Sequence, residues 1–312
     1  MGKALVFDGI VITEPLGDPV HFTDGLAQPV RTYIQNLSTS VTDAQKQAFQ
    51  TFYETLNNAG LWDKITCLYP MWGNVADCSH GLIGEDITIP SGAIYDKGID
   101  LTNATGGFGG AGKGILLLGG NTYPSSPTNG YSQFVNFPYK WEYVSGSVDR
   151  RAGHVLTFSN DDLRNNPNNY PNDDGRILGH VYGNNTTFMN LQFSRAGEAA
   201  RVTAEDVDNG EFIGFFGESN AFGGDNLQQF SYYFKTENGQ KTLHRKQAEE
   251  THTLVDKRGK LGINSNPHPE KDAHLMKIPV NMIIICDGFA LSQSEVEILG
   301  NAVNALTSVI FA

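Results

Sequence analysis

At 312 residues the chain is long enough for one large β domain with an attached segment, or for two ordinary domains. Lys+Arg at 22 against Asp+Glu at 34 gives a net charge of −12, which argues against a generic electrostatic grip on nucleic acid or anionic lipid and leaves protein or neutral ligands as expected partners. Gly at 35 residues and a hydrophobic share of 39% favour many turns and short strands over long helices.

The start, MGKALVFDGIVITEPLGD, has one lysine and no sustained apolar run, so neither a secretory signal nor membrane insertion is expected. Cys67, Cys78 and Cys286 form no Cys-x-x-Cys pair and are too few for a disulfide framework, which points to a reducing compartment. Residues 1 to about 40, punctuated by Pro15, Pro19 and Pro29, read as an extended arm with brief strands. Its apolar residues Val6, Phe7, Ile10, Val11 and Ile12 exceed what a solvated tail carries, so they are the expected assembly interface.

Thr42 followed by Gln45 has the spacing of a capping box, and Ala48, Phe49, Phe52, Tyr53 and Leu56 share one face, which predicts a helix over about 43–58. Asn57-Asn58-Ala59-Gly60 supplies its stop. The next stretch, LWDKITCLYPMWGN at 61–74, reads as a joint: Leu61 and Trp62 close the helix face, Pro70 forces the chain extended, and Ile65, Leu68 and Tyr69 begin a sheet.

From about 65 to 290 the dominant period is two. Strands are predicted at GILLLGG (114), YKWEYVSGSV (139), GHVLTFSN (153), RILGHVYG (176), TTFMNLQFS (186), GEFIGFFG (210) and KIPVNMIIIC (277). Phe230, Tyr232 and Phe234 alternate with other neighbours, and Asn238-Gly239 marks a two-residue hairpin turn. Without alternating helices, these strands predict an antiparallel sandwich or barrel. Ser292 with Glu295 forms a second capping box before the stripe Val296, Leu299, Val303, Leu306 and Ile310, which predicts a closing helix. The expected division is 1–64 as a docking arm and helix, and 65–312 as a β domain ending in that helix.

No motif carries catalysis convincingly. Gly107 to Gly114 copies most of a phosphate loop, but Gly114 stands where the metal-binding hydroxyl belongs and a strand pattern follows, so a loop between strands is the better reading. The acidic run Asp206, Asp208 and Glu211 approaches the spacing of a two-carboxylate glycosidase strand, but Asp208-Asn209-Gly210 reads as a turn. His268, Glu270, Asp272 and His274 lack a helix to align them as metal ligands, and Cys67 and Cys286 lie in apolar runs. ESNAFGGDN at 218–226 is a further weak loop, with Glu218 and Asp225. NNPNNYPNDDG at 165–175 fails as an EF-hand, yet its oxygens and the Tyr170 face suit sugar hydroxyls, which makes Tyr170, Asn172, Asp173 and Asp174 the candidate carbohydrate-binding residues.

The capped helix, LWDKITCLYPMWGN, the Gly/Asn-rich β region and GFALSQSEVEILGNAVNAL together resemble tailed-phage virion proteins that carry a concanavalin A-like (laminin G-like) jelly roll. The resemblance is carried by about 61–74 and 288–306, and the texture is similar to that of crAss-like gut phages. It implies a two-sheet jelly-roll sandwich with the last helix packed beside it, used as an appendage, fibre, tail or capsid-decorating module. The expectation is therefore a non-enzymatic virion protein without cofactor or metal, assembled in the host bacterial cytoplasm with itself and other virion proteins. The alternatives are a glycan-binding receptor module recognising a host surface glycan, and a β-sandwich glycanase or lyase.

Overall fold

The computed structural model describes residues 25–108, 112–117, 131–136, 259–264 and 279–312, together with the backbone of the further strands named below. Pro29 sits in the first turn of α1 (Gln28–Asn36), which corrects the extended reading of residues up to 40. Proline pre-sets the helical φ there and its missing N–H costs nothing, so the residue that argued for an arm starts a helix instead. Val30 and Tyr33 of α1 are buried.

Helix α2 (Asp43–Asn58) begins with the predicted capping box, Gln45 N donating to Thr42 Oγ1 at 3.3 Å and Thr42 N to Gln45 Oε1 at 3.0 Å. It ends in a Schellman motif: Gly60 takes φ 67°, Leu61 N bonds Leu56 O at 2.8 Å and Gly60 N bonds Asn57 O at 3.0 Å. The last helix, α3 (Gln293–Ile310), carries the second predicted capping box, with Ser292 N donating to Glu295 Oε2 at 2.8 Å.

The strands, numbered in chain order, lie before, between and after these helices. A small hairpin pairs β1 (Val6–Phe7) with β2 (Ile10–Val11), and a second pairs β4 (Ile94–Tyr95) with β5 (Ile99–Asp100). The six-stranded sheet contains β3 (Cys67–Tyr69), β8 (Tyr131–Asn136), β13 (Gly214–Ser219), β14 (Gln229–Glu237), β15 (Gln240–Gln247) and β17 (Met282–Asp287), in the order β15-β14-β13-β8-β17-β3. The seven-stranded sheet contains β6 (Ile115–Leu116), β7 (Thr122–Tyr123), β9 (His154–Ser159), β10 (Arg176–Asn184), β11 (Phe188–Arg195), β12 (Glu198–Ala204) and β16 (Gly259–Ile263). Its order is β12-β11-β10-β9-β16-β6, with β7 also paired to β16. Every paired strand runs antiparallel to its neighbour.

The predicted Asn238-Gly239 turn stands between the paired residues Glu237 and Gln240. Of the predicted strands, YKWEYVSGSV at 139 lies outside the described residues. Strand β12, EAARVTA, was not foreseen: its Glu, Ala and Arg have low β-propensity, and full-length pairing with β11 at the sheet edge overrides that preference.

The core forms where β17 crosses beneath the helices. Alternate residues of a strand face opposite sides, so Met282, Ile284 and Cys286 face the helical layer while Ile283 and Ile285 face away, and all five are buried. Ile284 is paired with Leu68 on one side and Phe134 on the other, giving a cross-strand apolar row beneath the helices. Upon it pack Val30, Phe49, Phe52, Leu56, Val296 and Leu306, so α1 and α2 share one cluster with the sheet and α3.

The stretch at 61–74 is the joint that its sequence predicted. The Trp72 indole donates to Ile310 O at 2.6 Å and meets Phe49 edge-on at 5.8 Å, while Trp62 meets Tyr53 edge-on at 4.7 Å. Leu291 N, just before α3, donates to Ser132 Oγ of β8 at 2.8 Å.

Tyr33 is 1% exposed and its hydroxyl has no hydrogen-bond partner among the described residues. A buried hydroxyl left unpaired costs stability, so Tyr33→Phe is expected to keep or raise stability by up to about 1 kcal/mol, whereas Phe49→Ala, removing a ring from the same cluster, is expected to cost about 3–5 kcal/mol. Urea unfolding at neutral pH checks both, and a Tyr33→Phe variant weakened by more than about 1 kcal/mol would refute the first.

Candidate functional site

The side of α2 and α3 turned away from the sheet forms an apolar groove with a cavity volume of about 290 Å³. Ala44, Gln47, Ala48, Thr51 and Thr55 form its α2 wall, one stripe at helical spacing, and Ala302, Ala305 and Val309 form its α3 wall. Phe52 and Leu306 make its floor, being buried in the core below. Small side chains on both helices create the depression: had Ala48 or Ala305 been Leu, the walls would close over Phe52.

No lining residue is charged, although the chain carries a net charge of −12. Residues 298–312 contain no Asp, Glu, Lys or Arg at all. Ile298, 36% exposed, continues the stripe of Ala302, Ala305 and Val309 by one helical turn. Charged residues of α2 lie off the groove: Asp43 pairs with Lys46 at 2.9 Å, and Glu54 accepts from Gln50 Nε2 at 2.7 Å. An ion pair of Lys64 with Glu295 joins the joint to the first turn of α3.

A buried carboxylate holds the α1–α2 connection in place. Asp77 is 1% exposed; its Oδ1 accepts from Ser38 N at 2.7 Å and Ser38 Oγ at 2.9 Å, and its Oδ2 accepts from Thr39 N at 3.1 Å and Asn74 Nδ2 at 2.7 Å. Gly73 lies against it at φ 104°, where a Cβ would come within 2.5 Å of Asp77 Oδ2. Burial raises the Asp77 pKa, but hydrogen bonds from Thr39 and Ser38 outweigh it and leave the carboxyl below its ordinary value. Glu295 behaves alike: burial raises it, and the bonds from Lys64 and Ser292 hold it lower. With four donors already on its oxygens, Asp77 serves as a structural anchor rather than an acid or base.

The cysteines are equally inert. Cys67 and Cys286 lie on paired strands, but Cys67 is opposite Ile285, so Cys286 faces the other side of the sheet. Burial pushes the Cys286 thiol up to about 12 and raises Cys67 and Cys78 as well. The described ends of the glycine-rich run resembling a phosphate loop pair with each other: Phe108 bridges Gly114, Gly107 N bonds Gly112 O at 2.6 Å, β6 follows directly, and Lys113 Nζ bonds Thr102 O at 3.1 Å.

Of the sequence-predicted site residues, Tyr170, Asn172, Asp173 and Asp174 lie outside the described residues, as do Asp206, Asp208, Glu211, Asp225 and the 268–274 cluster. Val6, Phe7, Ile10 and Val11 fall on the backbone of the β1–β2 hairpin, and Ile12 lies outside the described residues. Glu218 falls on β13. Among the described residues no three His, Cys, Asp or Glu side chains group to hold a metal ion, and no helix is long and apolar enough to cross a membrane. The groove itself was missed. Its signal was present as the charge-free run after Glu297 and as a second stripe of α2, flanking the face read as core and sharing Ala48 with it.

No protein-family model matches the chain, and no curated protein matches its sequence. Among solved structures, NanB with Optactamide gives a TM-score of 0.34 at 10% identity, covering 54% of this chain and 23% of its own. The CBM40 of the Ruminococcus gnavus IT-sialidase gives 0.33 at 10% identity over 59% of this chain and 91% of its own, and the leech intramolecular trans-sialidase 0.31 at 11% over 62% and 26%.

Asp77 and Glu295 make stability depend on acid. Their folded values lie below their ordinary 3.8 and 4.5, so each contributes stability that is complete above those ordinary values and lost as pH falls through the depressed ones. Asp77→Asn is expected to cost about 2–3 kcal/mol at pH 7, with a shallower loss than the wild type below about pH 4. Urea unfolding across that range checks it, and parallel pH profiles would refute the assignment. The three thiols are expected to stay unreactive toward a disulfide reagent in the native protein and to react together on unfolding.

Proposed function

We propose that the chain is a structural component of a tailed-phage virion that acts through protein–protein assembly. The observation that carries the assembly reading is the groove between α2 and α3: an exposed, charge-free apolar face on a strongly acidic chain has the character of a surface covered by protein. The phage context rests on the resemblance at 61–74 and 288–306.

In this reading the two large sheets form a jelly-roll sandwich. The chain alternates between them, and strands far apart in sequence become neighbours, with β8 between β13 and β17 and β9 beside β16, which is the nested pairing such a roll requires. The helical layer then covers the outer face of the six-stranded sheet and presents the groove to a partner. The chain performs no catalysis, and its place is the virion after assembly in the bacterial cytoplasm.

A second reading, a glycan-binding module of the same particle, is favoured by the oxygen-rich loop around Tyr170, with Asn172, Asp173 and Asp174. The two readings separate by experiment. Mass spectrometry of purified particles is expected to find the chain in stoichiometric amounts, and its absence would sink the virion reading. A glycan-array signal lost when all four loop residues become Ala would establish the second reading at that loop, and an unchanged signal would remove it.

A further inference from the structure

We infer that the groove between α2 and α3 is a self-contact, covered in solution by the same face of a second copy of this chain across a two-fold axis. The inference rests on the assembly reading and names the partner.

Electrostatics choose the partner. Two copies that each carry a net charge of −12 repel, so a contact between them is favoured where neither brings an unpaired carboxylate. The α2–α3 face meets that condition, since none of its lining residues is charged and α3 carries no charge after Glu297. A basic partner would gain more from the acidic surfaces elsewhere than from a face that offers it no anion.

Shape agrees. A two-fold contact brings identical patches together, so each must offer both ridge and depression. Ile298 and Val309 stand as apolar ridges on α3, while Ala48, Ala302 and Ala305 keep the neighbouring ground low enough for a facing helix to approach. From Ala44 to Thr55 and from Ile298 to Val309 the charge-free stripes run about 16 Å along helices about 10 Å wide, so their joint face offers on the order of 300 Å². A stable pair needs about 800 Å² on each side, so the contact gives a weak dimer whose population rises with concentration.

Light scattering and sedimentation of the full chain over a wide concentration range test this. The wild type is expected to pass from monomer to dimer. Ala305→Glu and Thr51→Glu, each at an exposed groove position, are expected to weaken that step about tenfold or more, because each places two like charges in one contact. Ile94→Glu, at a position 50% exposed on the β4–β5 hairpin, is expected to leave it unchanged. Circular dichroism confirms that the variants are folded.

A wild type that stays monomeric throughout overturns the inference, as does a dimer untouched by both groove variants or weakened equally by Ile94→Glu. A monomer that is nonetheless present in purified particles overturns only the self-contact and leaves the assembly reading standing. Absence from particles defeats the assembly reading on its own terms.

Discussion

Strand β17 is the element on which the rest depends, because it is buried on both faces. Met282, Ile284 and Cys286 support the helices from below, and Ile283 and Ile285 are withdrawn from water on the opposite side. A strand with one wet face would read as alternating, but this one reads as the unbroken run Met282-Ile-Ile-Ile-Cys286. Its two neighbours extend the effect sideways, since Leu68, Ile284 and Phe134 form a continuous row under Phe49 and Leu306. The helices consequently form a layer over this sheet, and their outer side is the surface left free for a partner.

Much of this was legible from residues alone, wherever local chemistry and tertiary packing ask for the same thing. Both capping boxes, the Gly60 stop, the β14–β15 pairing and the aromatic joint formed as the sequence predicted, because each is specified by side chains within a few residues. The failures share the opposite property. Pro29 is compatible with both an extended arm and a first helical turn, and only the burial of Val30 and Tyr33 against α2 and the sheet selects the helix. The residues of β12 prefer other states, and pairing with β11 holds them extended. The groove needs two stripes from helices separated by more than two hundred residues, which no single window of sequence contains.

The polar groups divide the same way. Several of those inside the fold are engaged: Asp77 has four donors, the Asn136 amide reaches Asn281 at 2.7 Å, and Ser132 receives the Leu291 N–H at 2.8 Å. Such groups stabilise one arrangement of loops and leave no lone pair or proton for chemistry. The groove has the contrary character, apolar and uncharged at the surface of an acidic chain, so the contrast that matters functionally runs between two surfaces rather than between core and surface.

The bond from Trp72 to the Ile310 carbonyl joins residues 238 positions apart, and it sets a schedule for the nascent chain. Helices α1 and α2 leave the ribosome well before the β17 strand beneath them and the α3 helix beside them. At roughly 5–20 residues per second, Phe49, Phe52 and Leu56 wait on the order of ten to fifty seconds before their cover is synthesised. During that interval the N-terminal helices expose a sticky face to every other growing copy on the same message.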